Sequence, residues 1–195
     1  MSRKILVVLG HPAPQSLCGG LAQAYVDGAR QTGAQVRVLQ LGQMNFDPIL
    51  RAGYGAAQAL EPELLAAQAD ILWADHLVWV YPIWWGGPPA LLKGFIDRIF
   101  LPGFAFKYRE NSSMWDRLLT GRSAQLLVTM DSPPWYFRWV TRMPGHHQMK
   151  KAILQFSGVN PVTVHSIGPV RTADVATRAR WLDQALRLGA RQARG

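Results

Sequence analysis

The sequence predicts an α/β fold: a doubly wound, five-stranded, mainly parallel sheet with helices on both faces. Three observations carry this. Five short apolar runs alternate with stretches long enough to hold a helix. Connections of that length join parallel strands and cross over right-handed, which puts helices on both faces. The 195 residues, 49% apolar and 17% charged, suit one domain with a substantial core. No repeat, low-complexity tract or linker-like stretch interrupts them, so residues 1–195 are expected to form a single domain. The expected strand order is 2-1-3-4-5.

The elements follow in order. Lys4 to Leu9 is a buried strand, followed by a turn from Gly10 to Gln15 and a helix from Ser16 to about Thr32. Gln35 to Leu41 alternates as a second strand, with Val36, Val38 and one of Leu39 or Leu41 inward. Met44 to Gly55 is loop-like. Residues 56–69 have a helical pattern in which Pro62 suits a first turn. The third strand is His76 to Tyr81, and Pro89 opens an amphipathic helix from Ala90 to Phe100. After a loop around Phe104 to Asn111, Ala124 to Thr129 is the fourth strand. Gly145 to Phe156 is a helix, Val162 to Ser166 the fifth strand and Asp174 to about Arg191 the last helix.

Composition excludes several classes. Pro82, Pro88, Pro89, Lys93 and Asp97 break the longest apolar windows, so membrane insertion is not expected. Ile5 to Leu9 is too short for the core of a secretory signal, and one cysteine, Cys18, permits no internal disulfide. A cytoplasmic location is therefore expected. The net charge of +9 favours anionic partners, among them dinucleotides, phosphates, nucleic acid and membrane surfaces, or is a solvated surface. Basic residues from Arg171 to Arg194 spread around a terminal helix without a recognition motif, which argues against nucleic acid. No metal site is expected: the adjacent His146 and His147 diverge on a helix, and no HExxH or clustered cysteines occur.

Three loops at the carboxyl ends of the predicted strands hold the candidate site, because open α/β sheets bind ligands there. The first, Gly10 to Cys18, has neither Gly-x-Gly-x-x-Gly nor Gly-Lys-Ser/Thr. It is a Pro-spaced turn ending in Ser16, an N-cap residue. The N–H groups of Ser16, Leu17 and Cys18 at that helix start make a phosphate seat, with His11 a donor at its rim. The second loop, Pro82-Ile83-Trp84-Trp85-Gly86-Gly87, places paired indoles on a strand-to-helix turn. They suit a flat aromatic ligand or an interface patch. The third begins Thr129-Met130-Asp131-Ser132 and continues into the aromatic run Trp135-Tyr136-Phe137-Arg138-Trp139. That run suits a lid, a dimer contact or a membrane-leaning patch.

These residues resemble the NAD(P)H:quinone oxidoreductase family, the DT-diaphorase-like branch of flavodoxin-like flavoenzymes. The likeness spans His11 to Met149 and is strongest over 80–108, where Pro89-Ala90-Leu91-Leu92-Lys93-Gly94 and Gly103 to Tyr108 match family segments. It implies a flavodoxin-like fold and a non-covalent FMN or FAD. His11, Ser16, Leu17 and Cys18 stand at the places on the flavin phosphate side. Pro82, Ile83, Trp84, Trp85 and Gly86 cradle the ring, an indole covering it with stacking of about 0.5–1.5 kcal/mol. Thr129 matches the turn at the flavin's pyrimidine side, whereas Met130 and Asp131 depart from it. Gly145-His146-His147-Gln148-Met149 is similar to the family's His-x-x-Met, which implies His146 as a catalytic histidine with Tyr136 the nearest tyrosine.

The resemblance further implies two-electron hydride transfer from NADH or NADPH to a quinone or related electrophile, in a homodimer whose active site uses both subunits. Other classes are a flavodoxin-like electron carrier, disfavoured by +9, and a regulatory or binding subunit of a membrane transport system that keeps the fold.

Overall fold

The computed structural model describes residues 2–193. Met1, Arg194 and Gly195, which the expected domain and the basic terminal stretch include, lie outside the described residues. Five parallel strands form the main sheet: β1 (Lys4–Leu9), β2 (Gln35–Gln40), β3 (His76–Pro82), β6 (Ser123–Thr129) and β7 (Val162–Ile167). Their order is β2-β1-β3-β6-β7, the expected 2-1-3-4-5 counted along the sheet. The extra numbers belong to a short antiparallel ribbon, β4 (Phe106–Tyr108) with β5 (Trp115–Arg117), where the sequence predicts a loop. Three-residue strands are too short to show a period.

Every residue of the central strand β3 is buried, as a parallel strand covered on both faces requires. One face is covered by α1 (Leu17–Gln31) and α6 (Val175–Gln192), which pack on Ile5, Val7, Val78, Val80 and Leu127. The two helices touch backbone to backbone: a Cβ on Gly28 would lie 1.9 Å from the Leu186 carbonyl oxygen, and one on Gly189 2.1 Å from that of Tyr25. The other face is covered by α2 (Pro62–Trp73), α3 (Ala90–Ile99) and a π-helix (Gln148–Gln155) over Leu6, Val8, Trp79, Tyr81 and Leu126.

Differences from expectation have local causes. The second helix starts at Pro62 and not at residue 56, because Pro has no N–H to lose in a first turn and forces Glu61 into extended backbone. On edge strand β2, Val38 is 36% exposed, while Leu39 packs on one side of the sheet and Leu41 is buried in a 3₁₀ turn after the strand. The aromatic run folds as a short helix, α4 (Pro134–Trp139), followed by α5 (Pro144–His147), which runs into the π-helix. Arg98 is fully buried and donates to Glu61 at 2.8 Å and to the carbonyls of Asp47 and Ala59, fastening the 44–61 loop to α3. Lys93 and Asp97, one turn apart, form a partly exposed ion pair at 2.6 Å.

Candidate active site

The carboxyl ends of β1, β3, β6 and β7 meet around a cleft of about 210 Å³. It is lined from the β1 loop by His11, Ser16, Leu17 and Cys18, from the β3 loop by Pro82, Ile83 and Trp84, and from the β6 loop by Thr129, Met130 and Asp131. Backbone bonds lock the loops to one another. The Ile83 N–H donates to the Thr129 carbonyl at 2.7 Å, Met130 to Ile167 at 2.9 Å, and Val170 to Met130 at 3.0 Å.

The first wall is the amino end of α1. The Ser16 side chain accepts from the Gly19 N–H at 3.2 Å and donates to the Ala13 carbonyl at 2.8 Å, so it both caps the helix and closes the loop. Helix geometry leaves the Leu17 and Cys18 N–H groups without intrahelical acceptors, and both residues face the cleft. With the helix dipole they give that end of the cleft a positive character. The His11 Nδ1 lies 2.9 Å from both the N–H and the carbonyl oxygen of Ala13, so the ring is folded back on its own loop. Cys18 is buried beside Thr129, Sγ to Oγ1 3.2 Å, and burial raises its thiol to about pKa 11. It is therefore a thiol and no nucleophile at neutral pH.

The second wall is the aromatic turn. Trp84 and Gly87 exchange two backbone hydrogen bonds, at 2.9 and 3.0 Å, around a turn whose central residues, Trp85 (φ 50°) and Gly86 (φ 81°), are both left-handed. That is the type I′ hairpin turn, which ordinarily takes Asn-Gly. Trp84 lines the cleft edge-on to His11, ring centroids 5.6 Å apart. Trp85 and Gly86 do not line it, and Trp85 is fully exposed. The Ile83 and Trp84 N–H groups are bonded within the protein, so the side chains of these residues, and not their amides, face the cleft.

The third wall explains Asp131. Its Oδ1 accepts the Arg171 N–H at 2.9 Å, tying the loop after β7 to the end of β6 and holding Val170 against the cleft. Val170 has no place among the residues singled out in the sequence. The rule that ligands sit beyond strand ends points to this loop too, but no motif marks it.

His146 and Tyr136 are not among the cleft-lining residues. His146 is buried, with Nε2 2.8 Å from Ser166 Oγ and its ring edge-on to Phe137 at 5.1 Å. Burial, and secondarily the charge of His147, lowers it to about pKa 4. Tyr136 is exposed on α4 beside Trp135. Gly145, just before His146, packs so closely on the aromatic turn that a Cβ would sit 2.7 Å from the Gly86 oxygen and 2.9 Å from Ile83. A larger groove of about 430 Å³ lies between α3, the β4–β5 ribbon and the π-helix, lined chiefly by Ile96, Phe100, Phe106, Tyr108, Ile153 and Phe156. Among the described residues no three His, Cys, Asp or Glu side chains stand together as metal ligands, and no helix is long and apolar enough to cross a membrane.

Comparison with known proteins places this geometry in a family. A family model described as flavodoxin-like fold matches residues 3–188. A ribosyldihydronicotinamide dehydrogenase-like protein of Penicillium crustosum is 34% identical over 152 residues, 65% of this chain and 57% of that protein. The chain thus spans little more than half the length of that relative. A Haemophilus influenzae protein named as an uncharacterized NAD(P)H oxidoreductase is 29% identical over 185 residues, covering 92% of this chain and 91% of its own. The solved NAD(P)H:quinone oxidoreductase of Methanothermobacter marburgensis superposes with a TM-score of 0.81 at 25% identity, covering 98% of each chain. The chain belongs to the flavodoxin-like fold family, in its NAD(P)H:quinone oxidoreductase branch.

Proposed function

We propose that the protein is a flavin-dependent NAD(P)H oxidoreductase that reduces quinones or related electrophiles in two-electron steps. The observation that carries this is the pairing, in one cleft, of a helix amino end at Leu17 and Cys18 with the apolar wall of Pro82, Ile83 and Trp84. The two ends suit an anionic tail and a flat ring, which is the chemistry of FMN or of the flavin half of FAD. A flavin held in this cleft of about 210 Å³ would supply hydride exchange between NADH or NADPH and an acceptor.

The chain's own contribution is placement. Leu17 and Cys18 N–H groups hold the phosphate, and Ser16 fixes the helix start that aims them. Trp84 covers part of the ring, and Thr129 keeps its hydroxyl against Cys18 at the cleft floor. Asp131 holds Val170 in the wall. His146 serves as a positioning group: neutral and bonded to Ser166, it anchors the segment whose Gly145 supports the aromatic turn. Tyr136 stands on α4 at the rim. The protein acts as a homodimer, the apolar groove along Phe106, Tyr108, Ile153 and Phe156 receiving the second subunit.

The test is the visible spectrum of purified protein and, after denaturation, identification of the released chromophore. Yellow protein that bleaches with NADH or NADPH and recolours with a benzoquinone supports the assignment. Colourless protein that binds neither FMN nor FAD in a fluorescence-quenching titration overturns it.

A further inference from the structure

We propose that the rim of the cleft, formed by α4, its exit and the aromatic turn, docks on the head-group region of an anionic lipid bilayer. The rim is unusually apolar for a surface. Trp85, Trp135, Trp139 and Val140 have relative exposures of 106%, 64%, 72% and 55%. They lie on touching segments. Gly145, at the start of α5, packs against Gly86 and Ile83 of the turn, and the Met143 N–H returns to the Phe137 carbonyl of α4 at 2.9 Å.

The backbone here is held in unusual conformations. Trp85 (φ 50°), Arg142 (φ 58°) and Met143 (φ 52°) all hold left-handed conformations that side-chain-bearing residues adopt at a cost. In Trp85 that cost presents an indole to solvent, with no packing inside the chain to offset it. The Trp84–Gly87 bonds hold that turn, and the indole it carries is left for an external contact.

Charge identifies that surface. Residues 132–173, which include α4, its exit and α5, hold five Lys or Arg and no acidic residue. Arg138 and Arg142 are exposed within the aromatic cluster, and the Arg138 guanidinium lies 5.2 Å from the Trp139 ring centroid. The carboxylates bordering this region, Asp131 and Asp174, already accept the N–H groups of Arg171 and Thr177. Indoles beside arginines, apolar body inward and polar edge outward, are the composition of a membrane-interface anchor over anionic head groups. A second copy fits worse, because a two-fold contact through this face sets arginines against arginines. If the flavin–quinone assignment above holds, which this corollary alone requires, the acceptor reaches the cleft from the bilayer.

The experiment is co-sedimentation of the full chain with vesicles of phosphatidylcholine alone and with one-third phosphatidylglycerol, at low and at physiological salt. Binding to the anionic vesicles only, weakening with salt and accompanied by a blue shift of tryptophan emission, is expected. R138Q/R142Q should weaken it about thirtyfold. W135S/W139S should reduce the blue shift to the part that Trp85 supplies, without moving the melting temperature. R187Q/R191Q, which removes the same charge from the far end of α6, should stay within about twofold. Equal binding to neutral vesicles, no binding at low salt, or equal loss in R187Q/R191Q overturns the proposal. So does equally effective competition by polyglutamate or duplex DNA, which would make the partner an acidic protein or nucleic acid. A dimer that W135S/W139S splits in sedimentation velocity also overturns it, since a second copy would then cover the rim. Vesicle binding is read on protein with or without chromophore, so its failure is distinct from failure of the flavin assignment.

Discussion

Gly19 sits where the first loop folds over the first turn of α1, and a single methyl group there tests the anion seat. A Cβ on Gly19 would lie 1.8 Å from the Pro14 carbonyl oxygen. To reach an ordinary contact of 3.4 Å the loop must retreat by about 1.6 Å. That movement pulls on the Ser16–Ala13 bond of 2.8 Å and on the cap that aims the Leu17 and Cys18 N–H groups. Two terms oppose each other in stability. Overpacking against backbone costs about 1–3 kcal/mol, while alanine in a helix returns about 1 kcal/mol. The net loss of about 0–2 kcal/mol lowers the melting temperature by a few degrees at this size. Affinity suffers more, since losing one charge-assisted hydrogen bond costs about 1.5–3 kcal/mol, or roughly ten- to hundredfold. Gly20→Ala is the control, because its Cβ meets only the flexible end of Leu182 at 3.3 Å. The assays are thermal melting by circular dichroism and titration with FMN or FAD. Wild-type flavin affinity in Gly19→Ala, with a melting point at or above that of Gly20→Ala, would refute the placement of the loop.

Three further outcomes follow from buried groups. Burial keeps His76 at about pKa 3 and His146 at about 4, both below the ordinary 6.5. The unfolded chain therefore binds protons that the folded state refuses. Stability is whole above pH 6.5 and falls by about 1.4 kcal/mol per histidine per pH unit until the folded values are reached. Urea midpoints between pH 7 and 5 check the slope, and a flat profile contradicts it. Arg98 is fully buried and serves Glu61 and two carbonyls, and its bonding to Glu61 holds that carboxyl below the usual range. Arg98→Met should thus destabilise by about 3 kcal/mol or more, and Glu61→Gln by less, because Glu61 is 31% exposed and keeps water. The reverse order in chemical denaturation counts against the fastening role. Cys18, at about pKa 11 and buried, should resist a thiol reagent at pH 8 until the protein unfolds; prompt labelling of native protein contradicts that environment.

The sheet was readable in advance because its three inner strands, β1, β3 and β6, are almost continuously buried apolar runs, while edge strand β2 shows itself by alternation. His76 to Tyr81 has no polar face to confuse the period, and Ser16 marks the start of α1 by its cap chemistry. The β4–β5 ribbon and α4 were not, since three to six residues are too few for a period to accumulate. At the cleft, ten residues singled out in the sequence converge, from His11 on the first loop to Asp131 on the third. A motif resemblance specifies which residues sit on a loop, but not which way a strained turn throws them. Trp84 and Trp85 are adjacent and chemically alike, yet the left-handed backbone at Trp85 sends one to the cleft and the other to solvent.

What the chain determines by itself, then, is order along one dimension: strands, helices, their caps, and the charge that accumulates after Ser132. Only the tertiary structure decides that Asp131 reaches across to the backbone of Arg171, that Arg98 disappears beneath the 44–61 loop, and that His146 turns to Ser166 and not to the cleft. Each of these depends on a contact at least twenty residues away in sequence. Local propensity and short motifs carry no information about which distant polar group will be present to satisfy a buried one.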